Sequence, residues 1–358
     1  MSYEIPIGPY HVALEEPYKI DVRCEGETVV GSSLKVGFNF RGIEWLGQRK
    51  NITQAAALME RVCGICSNVH SMTFCMALER IGGIEVPARA QYVRVVMAEL
   101  ERLHSHLLWA GVAAELIGFQ TLFMRCFQLR EGVMDLLEKI SGNRVNYSMN
   151  RVGGVNRDVT CADEIRAGVR EIREEAIRSL IPIFTKDRSV AARCAGVGVL
   201  TRDDALALGA VGPVARASGV DADLRRDDPY LVYDQLQFAV PTRSEGDVFA
   251  RVVVRALEIL ESCGLVEQAL DRMPEGPLNR GDVYAVAPGE AVMRVEAPRG
   301  EVFYFVASDG SDVAARVKVR TPTFPNIPTV QPMVLGADLA DVPLIQASID
   351  PCYSCTDR

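Results

Sequence analysis

"ERVCGICSNVHS", residues 60–71, holds Cys63 and Cys66 in CxxC spacing, and "DPCYSCTDR", residues 350–358, repeats that spacing with Cys352 and Cys355. A thiolate is a soft ligand, suited to zinc, cuprous copper, iron–sulfur clusters and iron or nickel centres. A CxxC turn aims both sulfurs at one point, so two such turns make a four-thiolate site. Structural zinc sites keep their pairs about 15–20 residues apart. Here 285 residues lie between Cys66 and Cys352. Three readings fit the spacing: a catalytic or cluster metal, a structural zinc, or two unrelated pairs. Either metal reading needs a fold that brings a late segment back to an early loop.

Composition narrows the field around these pairs. The chain has 358 residues, 48% apolar and 24% charged, enough for a substantial core in one large domain or two smaller ones. The formal net charge is −8 and no basic stripe is visible, which argues against nucleic acid as a partner. The opening "MSYEIPIGPYHVAL" lacks the basic and apolar regions of a signal peptide. Ten cysteines in such a chain point to metal or redox chemistry rather than disulfides. The most apolar stretch, residues 107–124, carries Glu115 and Gln120 inside it. That suits a buried helix better than a membrane span, which needs about 20 nearly uncharged residues.

Periodicity supplies the outline. Residues 18–37 alternate apolar and polar positions with Gly26 and Gly31 as turns, predicting short strands. Residues 52–82 read as helix interrupted by the cysteine loop. Val93, Val96, Met97, Leu100, Leu103 and Leu107 recur at threes and fours, predicting a long helix pair from Arg89 to Ile140. Residues 141–158 form a Gly/Asn-rich connection, and amphipathic helices are expected over 162–183 and 245–272. Residues 291–319 turn β-branched and aromatic around Asp309-Gly310, predicting a hairpin. The four prolines of 320–332 predict an irregular run, and 334–347 a last helix. The fold class is therefore α+β: a long-helix core bundle, a small N-terminal sheet and a late β-hairpin. The expected organisation is one integrated domain: an N-terminal α/β segment (1–50), a helical core (51–283), and a segment of hairpin, Pro-rich loop and terminal cysteines (284–358).

Motifs around the thiols carry a resemblance. Arg41-Gly42-Ile43-Glu44, fifteen residues, then Glu60-Arg61-Val62-Cys63-Gly64-Ile65-Cys66 resembles the first signature of the large subunit of [NiFe] hydrogenases. "DPCYSCTDR" resembles their C-terminal signature, and Val295–Gly300, "VEAPRG", a third element. Residues 83–108, 130–155, 297–311 and 320–330 are similar instead to the quinone-site subunit of respiratory complex I. A chain joining both sets resembles the large, catalytic subunits of energy-converting, membrane-bound [NiFe] hydrogenases of the Ech or CO-induced type.

That resemblance implies reversible H2 formation and oxidation at a Ni–Fe centre, with no flavin or nicotinamide in this chain. Cys63 and Cys352 would bind nickel alone, and Cys66 and Cys355 would bridge it to an iron carrying CO and cyanide. Glu44 would be the first proton relay. Arg299 would stand over the open metal position as a fixed cationic fork. His70, Pro298 and Asp350 would surround the ligands and tune them. The implied partners are a small subunit with a [4Fe–4S] cluster, membrane-arm subunits and ferredoxin. The implied place is peripheral, on the cytoplasmic face of the membrane.

Departures from the family pattern are equally visible. The usual last signature residue is His, an extra metal ligand in many relatives; here it is Arg358, a cation that cannot be one. Two rivals remain. A complex I-type quinone subunit would carry a His pair and a Tyr, but here the chain has His11 with Glu15 at the second position and Gly64 in place of the Tyr. A zinc-holding scaffold would need the four cysteines but neither Glu44 nor Arg299.

Overall fold

A computed structural model describes residues 2–11, 14 and 16–358. Glu15, which bears on the quinone comparison, lies outside the described residues. The chain opens with an antiparallel sheet of β1 (Ser2–Ile7), β2 (Lys19–Glu25) and β3 (Thr28–Lys35). The alternation predicted for 18–37 is present: Ile20, Val22 and Cys24 are buried along β2. β1 adds a strand that the pattern does not predict, because "SYEIPI" is mostly exposed and carries no alternating apolar face.

Short helices α1 (Ile43–Gly47) and α2 (Ile52–Met59) lead to the first cysteine loop. Helix α3 (Ser67–Gly82) follows it and is buried on all sides from Ser67 to Glu79. A helix buried all round reads weakly as amphipathic. The long pair is α4 (Ala88–Ile117) and α5 (Gln120–Ser141), packed on each other. Gly118 ends α4 in the left-handed region at φ 89°, a backbone state that glycine adopts without the Cβ penalty. Helices α6 (Ala162–Glu175) and α7 (Val248–Arg272) complete the bundle, with α7 against α4. Among the described residues no helix is long and apolar enough to cross a membrane.

The late β region is larger than the expected hairpin. It is a three-stranded antiparallel sheet of β4 (Gly289–Ala297), β5 (Gly300–Ser308) and β6 (Ala314–Arg320). The Asp309-Gly310 turn joins β5 to β6, but a tighter turn, Pro298-Arg299, joins β4 to β5 through the Ala297–Gly300 pair. Residues 323–334 are also not irregular: they form successive short helical turns, with Pro322, Pro325, Pro328 and Pro332 near the start of each. Proline's fixed φ suits a first helical turn, where its missing N–H has no partner to lose. Helix α8 (Val342–Ser348) and the terminal turn α9 (Tyr353–Asp357) close the chain.

One apolar cluster runs from Ile7 through α3, α4, α7 and the late sheet to Cys355. Inside it sits an ionic network. Glu99 on α4 accepts from Arg225 (3.2 Å), Arg102 (3.3 Å), Tyr233 (2.6 Å) and Ser262 (2.7 Å). Arg216 reaches Glu258 on α7 (2.9 Å) and Glu296 on β4 (2.8 Å), and Glu258 also meets His106 (2.8 Å). Arg102 donates to the carbonyls of Glu296 (2.7 Å) and Ala297 (3.0 Å), beside the Pro298-Arg299 turn. Gly212 and Gly300 let two backbones meet there: a Cβ on Gly212 would stand 2.4 Å from the Arg299 carbonyl. Four buried elements thus hold that turn in place. Removing one partner of a buried pair strands the other charge, so Arg216→Ala is expected to cost about 3–5 kcal/mol of stability in denaturant unfolding.

Candidate metal centre

Each CxxC pair is shaped by its own backbone. After a 3-10 turn at Glu60–Val62, Cys63 is extended and Cys66 caps the start of α3. The Ile65 N–H donates to the Cys63 sulfur at 3.2 Å. In the second pair the Cys355 N–H donates to the Cys352 sulfur at 3.3 Å, where Cys352 caps α9. Both first cysteines therefore have an N–H aimed at sulfur, although the Cys63 contact and burial leave the Cys352 thiol raised.

The two pairs meet in the core. Cys63 Sγ lies 3.4 Å from Cys352 Sγ, and Cys66 Sγ lies 3.5 Å from Cys355 Sγ. Cys63, Cys66 and Cys355 all have sulfurs within 4.8 Å of one another. All four residues are buried and none is in a disulfide. Four sulfurs at tetrahedral positions about 2.3 Å from one ion would stand about 3.8 Å apart, so this spacing fits thiolates that share a metal. The Cys63 thiol is held well below its ordinary value, first by the Cys352 contact, then by Cys355 and Cys66, with a smaller pull from Arg299. Cys355 goes the other way: burial and its three sulfur neighbours push it up. Four buried thiols cannot all ionise without a cation among them, which is the behaviour of a ligand set that exchanges protons for metal.

Groups around the sulfurs are fixed with equal care. His70 Nε2 stands 3.6 Å from Cys355 Sγ, and its Nδ1 is 2.8 Å from the Tyr304 hydroxyl. Burial pushes the imidazole down to about 4, so it is neutral, and burial raises the Tyr304 phenol so that it keeps its proton. Tyr304 OH and Cys355 Sγ thus hold the two ring nitrogens of a neutral imidazole. Arg299 projects from the β4–β5 turn, its Nε donating to the Asp350 carbonyl at 2.9 Å and a terminal nitrogen meeting the Asp350 carboxylate at 2.8 Å. Asp350 is left-handed at φ 54° directly before Pro351, a conformation costing about 1–3 kcal/mol that this fork offsets. Arg299 is 4% exposed, and its charge acts on Cys63, Cys66 and Cys352.

Glu44 is held by three partners. Its carboxylate accepts from Val319 N–H (2.9 Å), Lys318 (3.1 Å) and Arg358 (2.9 Å). Burial pushes its pKa up, but the Val319 N–H and Arg358 outweigh it and the net direction is down. It is an ionised group latched to β6 and to the residue where the family carries His.

Three residues do more here than their sequence positions disclose. Arg41 donates to the Val62 carbonyl (2.9 Å) on one side and to the Ser354 carbonyl (2.6 Å) on the other, stapling the two cysteine loops together. Glu16 accepts from the Tyr353 and Ser354 N–H groups at the start of α9. Asp357 accepts from Gly37 and Asn39 N–H, both at 2.9 Å. Arg41 stands inside the first motif, but nothing in the spacing assigns it this task. His104 and His106 face apart, to Arg130 and to Glu258, and form no ligand pair.

Comparison with known proteins decides the family. Residues 117–288 and 282–358 match the respiratory-chain NADH dehydrogenase 49 kDa subunit, and residues 41–110 match the nickel-dependent hydrogenase family. The chain belongs to this joint family. The second match contains Arg41, Glu44, Cys63 and Cys66. The chain is 43% identical over 359 residues to the carbon monoxide-induced hydrogenase of Rhodospirillum rubrum, covering 100% of this chain and 99% of that one. It is 42% identical to the membrane-bound hydrogenase subunit alpha of Pyrococcus furiosus, over 99% of this chain and 87% of that one. It is 38% identical to an F(420)H(2) dehydrogenase subunit of Methanosarcina mazei, over 99% and 97%. A chain from the structure of the membrane-bound sulfane sulfur reductase, an archaeal respiratory membrane complex, superposes with a TM-score of 0.95 at 34% identity, covering 100% and 98%. The protein is an oxidoreductase subunit, with relatives in a membrane-bound hydrogenase and a respiratory membrane complex, and its residues 41–110 match the nickel-dependent hydrogenase family.

The staple is testable apart from the ligands. Arg41→Ala leaves all four sulfurs in place but frees the loops that present them. It should lower nickel affinity about 10–100-fold, as loss of an outer-shell partner does, read by competition with a chelator. Affinity equal to the parent's would remove Arg41 from the site.

Proposed function

We propose that this chain is the catalytic subunit of an energy-converting, membrane-associated [NiFe] hydrogenase that couples ferredoxin to H2 and to ion movement. The observation that carries the reading is the convergence of four buried sulfurs from two CxxC loops, the first inside the segment matched to nickel-dependent hydrogenases. Cys63 and Cys352 would hold nickel, and Cys66 and Cys355 would serve both nickel and an iron carrying CO and cyanide. When bound, such a centre splits H2 heterolytically and passes two electrons onward.

The chain's own residues handle protons and charge. Glu44, ionised in its resting contacts, is the first proton acceptor; releasing Arg358 and Lys318 would let it take and return a proton. Arg299 supplies a buried cation whose direction is set by Asp350. His70 offers an N–H to the Cys355 sulfur, moderating the charge on it. Pro298 shapes the turn from which Arg299 projects.

Electrons leave through another protein. The remaining six cysteines are free and have no paired spacing. We therefore place a [4Fe–4S] small subunit and a membrane arm around the chain on the cytoplasmic face. Phe40 is 73% exposed and Trp45 56%, flanking Arg41–Glu44, and such apolar exposure beside a buried centre suits a partner's cover.

Two substitutions separate chemistry from assembly. Glu44→Gln keeps shape and the Val319 and Arg358 contacts, gives up that of Lys318, and cannot carry a proton. It should retain nickel and the infrared bands of iron-bound CO and cyanide while losing most H2 turnover and H/D exchange. Arg299→Lys keeps the charge but loses the planar fork, and should likewise assemble metal and lose rate. Parental turnover in Glu44→Gln would take Glu44 out of the path, and in Arg299→Lys would leave Arg299 a purely structural role.

A further inference from the structure

A second acid lies close to the thiol cluster and has no part in the function proposed above. Glu60 precedes Cys63 by three residues and is 1% exposed. Its carboxylate accepts from the Ser148 N–H (2.9 Å) and the Ser71 hydroxyl (3.4 Å) and meets Arg61 at 3.1 Å. It also lines a cavity of about 370 Å³ between α2 and residues 148–156. Arg151, Asp282 and Tyr284 line the same cavity, joined to one another by an ion pair and a hydrogen bond. Tyr284 is 70% exposed, so this side of the cavity faces solvent.

Inward from Glu60 the polar groups continue. Asn150 Nδ2 donates to Ser71 Oγ (2.9 Å) and to Asn68 Oδ1 (2.8 Å). The Asn68 and Val69 N–H groups donate to Glu101 at 2.6 and 3.0 Å. Glu101 is a fully buried carboxyl on α4, near enough to Cys63 and to Glu60 for their charges to act on it. Three buried polar atoms along this run, Asn68 Nδ2, Asn150 Oδ1 and the Tyr147 hydroxyl, have no hydrogen-bond partner among the described residues. Orphaned buried polar atoms of this kind are satisfied by internal water, which needs two to four polar partners.

We infer that Glu101, internal water beside Tyr147, Asn68 and Asn150, and Glu60 form a second proton track, running from the thiol cluster to the Arg151–Asp282–Tyr284 cavity. The inference rests on the proposed hydrogenase reading and adds an exit that does not use Glu44. Each transfer breaks one O–H bond and makes another, from the Glu101 carboxyl to water, from water to Glu60, and from Glu60 to cavity water. No electrons move along it; they leave through the partner subunit. Burial raises the Glu60 carboxyl to about 7, against a smaller opposing pull from Arg61, so it can hold and release a proton near neutrality.

The test uses the intact complex and three variants. Glu60→Gln keeps size and hydrogen bonding. It should keep nickel and the iron-bound CO and cyanide bands. H2 turnover should fall, by less than in Glu44→Gln, with a raised solvent isotope effect. A carboxylic-acid C=O infrared band that titrates near 7 and shifts in D2O should disappear. Glu60→Asp, still titratable, should restore part of the rate and return the band at a shifted position. Ala57→Trp, at an exposed position lining the cavity, should slow turnover and raise the isotope effect without altering the band. Parental rate and isotope effect in Glu60→Gln, or a titrating band that survives it, would overturn the track. If Glu60→Gln assembles no metal, the Ala57→Trp isotope effect decides in the same sense. A parent complex with neither nickel nor H2 turnover would instead sink the hydrogenase reading itself.

Discussion

The contact between Cys66 Sγ and Cys355 Sγ, 3.5 Å across a separation of 289 positions, is the constraint on which the rest of the structure depends. Closing a loop that long costs roughly 5 kcal/mol in chain entropy, and metal clips that close long loops gain the most. Contacts other than metal–sulfur bonds help to meet that cost. Arg41 ties one cysteine loop to the other, Glu16 and Asp357 anchor the terminal turn to the N-terminal segment, and Arg299 grips the strained Asp350. The sulfurs are thus positioned by backbone and ionic contacts, and a metal has only to displace protons from them. The same contacts explain the buried arginines. The network of Glu99, Arg216, Arg225 and Glu258 lies behind the β4–β5 turn and fixes the direction from which Arg299 enters.

Fold and function separate cleanly in this family. The superposition at TM-score 0.95 is with a chain of a sulfur reductase complex, and other relatives are hydrogenases or an F(420)H(2) dehydrogenase. One scaffold of long helices and a late sheet serves several chemistries, so activity must be argued from the site. Here the site is four convergent sulfurs, a neutral histidine beside one of them and a clamped cation. A proton-carrying group at Glu60 would extend that site to the cavity lined by Arg151, Asp282 and Tyr284.

How much is legible in the sequence follows from what each feature is made of. The α4–α5 pair is plain because Val93 to Leu107 keep a helical period over many turns, and the terminal thiols because CxxC spacing is rare and chemically loaded. β1 escapes the pattern because "SYEIPI" buries almost nothing, and the third strand of the late sheet because a two-residue Pro298-Arg299 turn leaves little signal. The Pro-rich run misleads because prolines at first-turn positions start helices as readily as they break them. Residues 188–246 carry no readable period, since their helices are four to seven residues long, yet they supply Arg216, Asp223 and Arg225. The staple at Arg41 and the acid pair Glu60 and Glu101 depend on contacts between distant segments, which no local pattern records.

The central claim is that the two cysteine pairs share one nickel. X-ray absorption at the nickel edge, with metal quantitation on the complex purified from its native cells, tests it most directly. The account predicts about one nickel per chain with a sulfur shell that thins when Cys63 or Cys352 is replaced by Ala. Stoichiometric zinc with no nickel, or a nickel shell of nitrogen and oxygen alone, would contradict it.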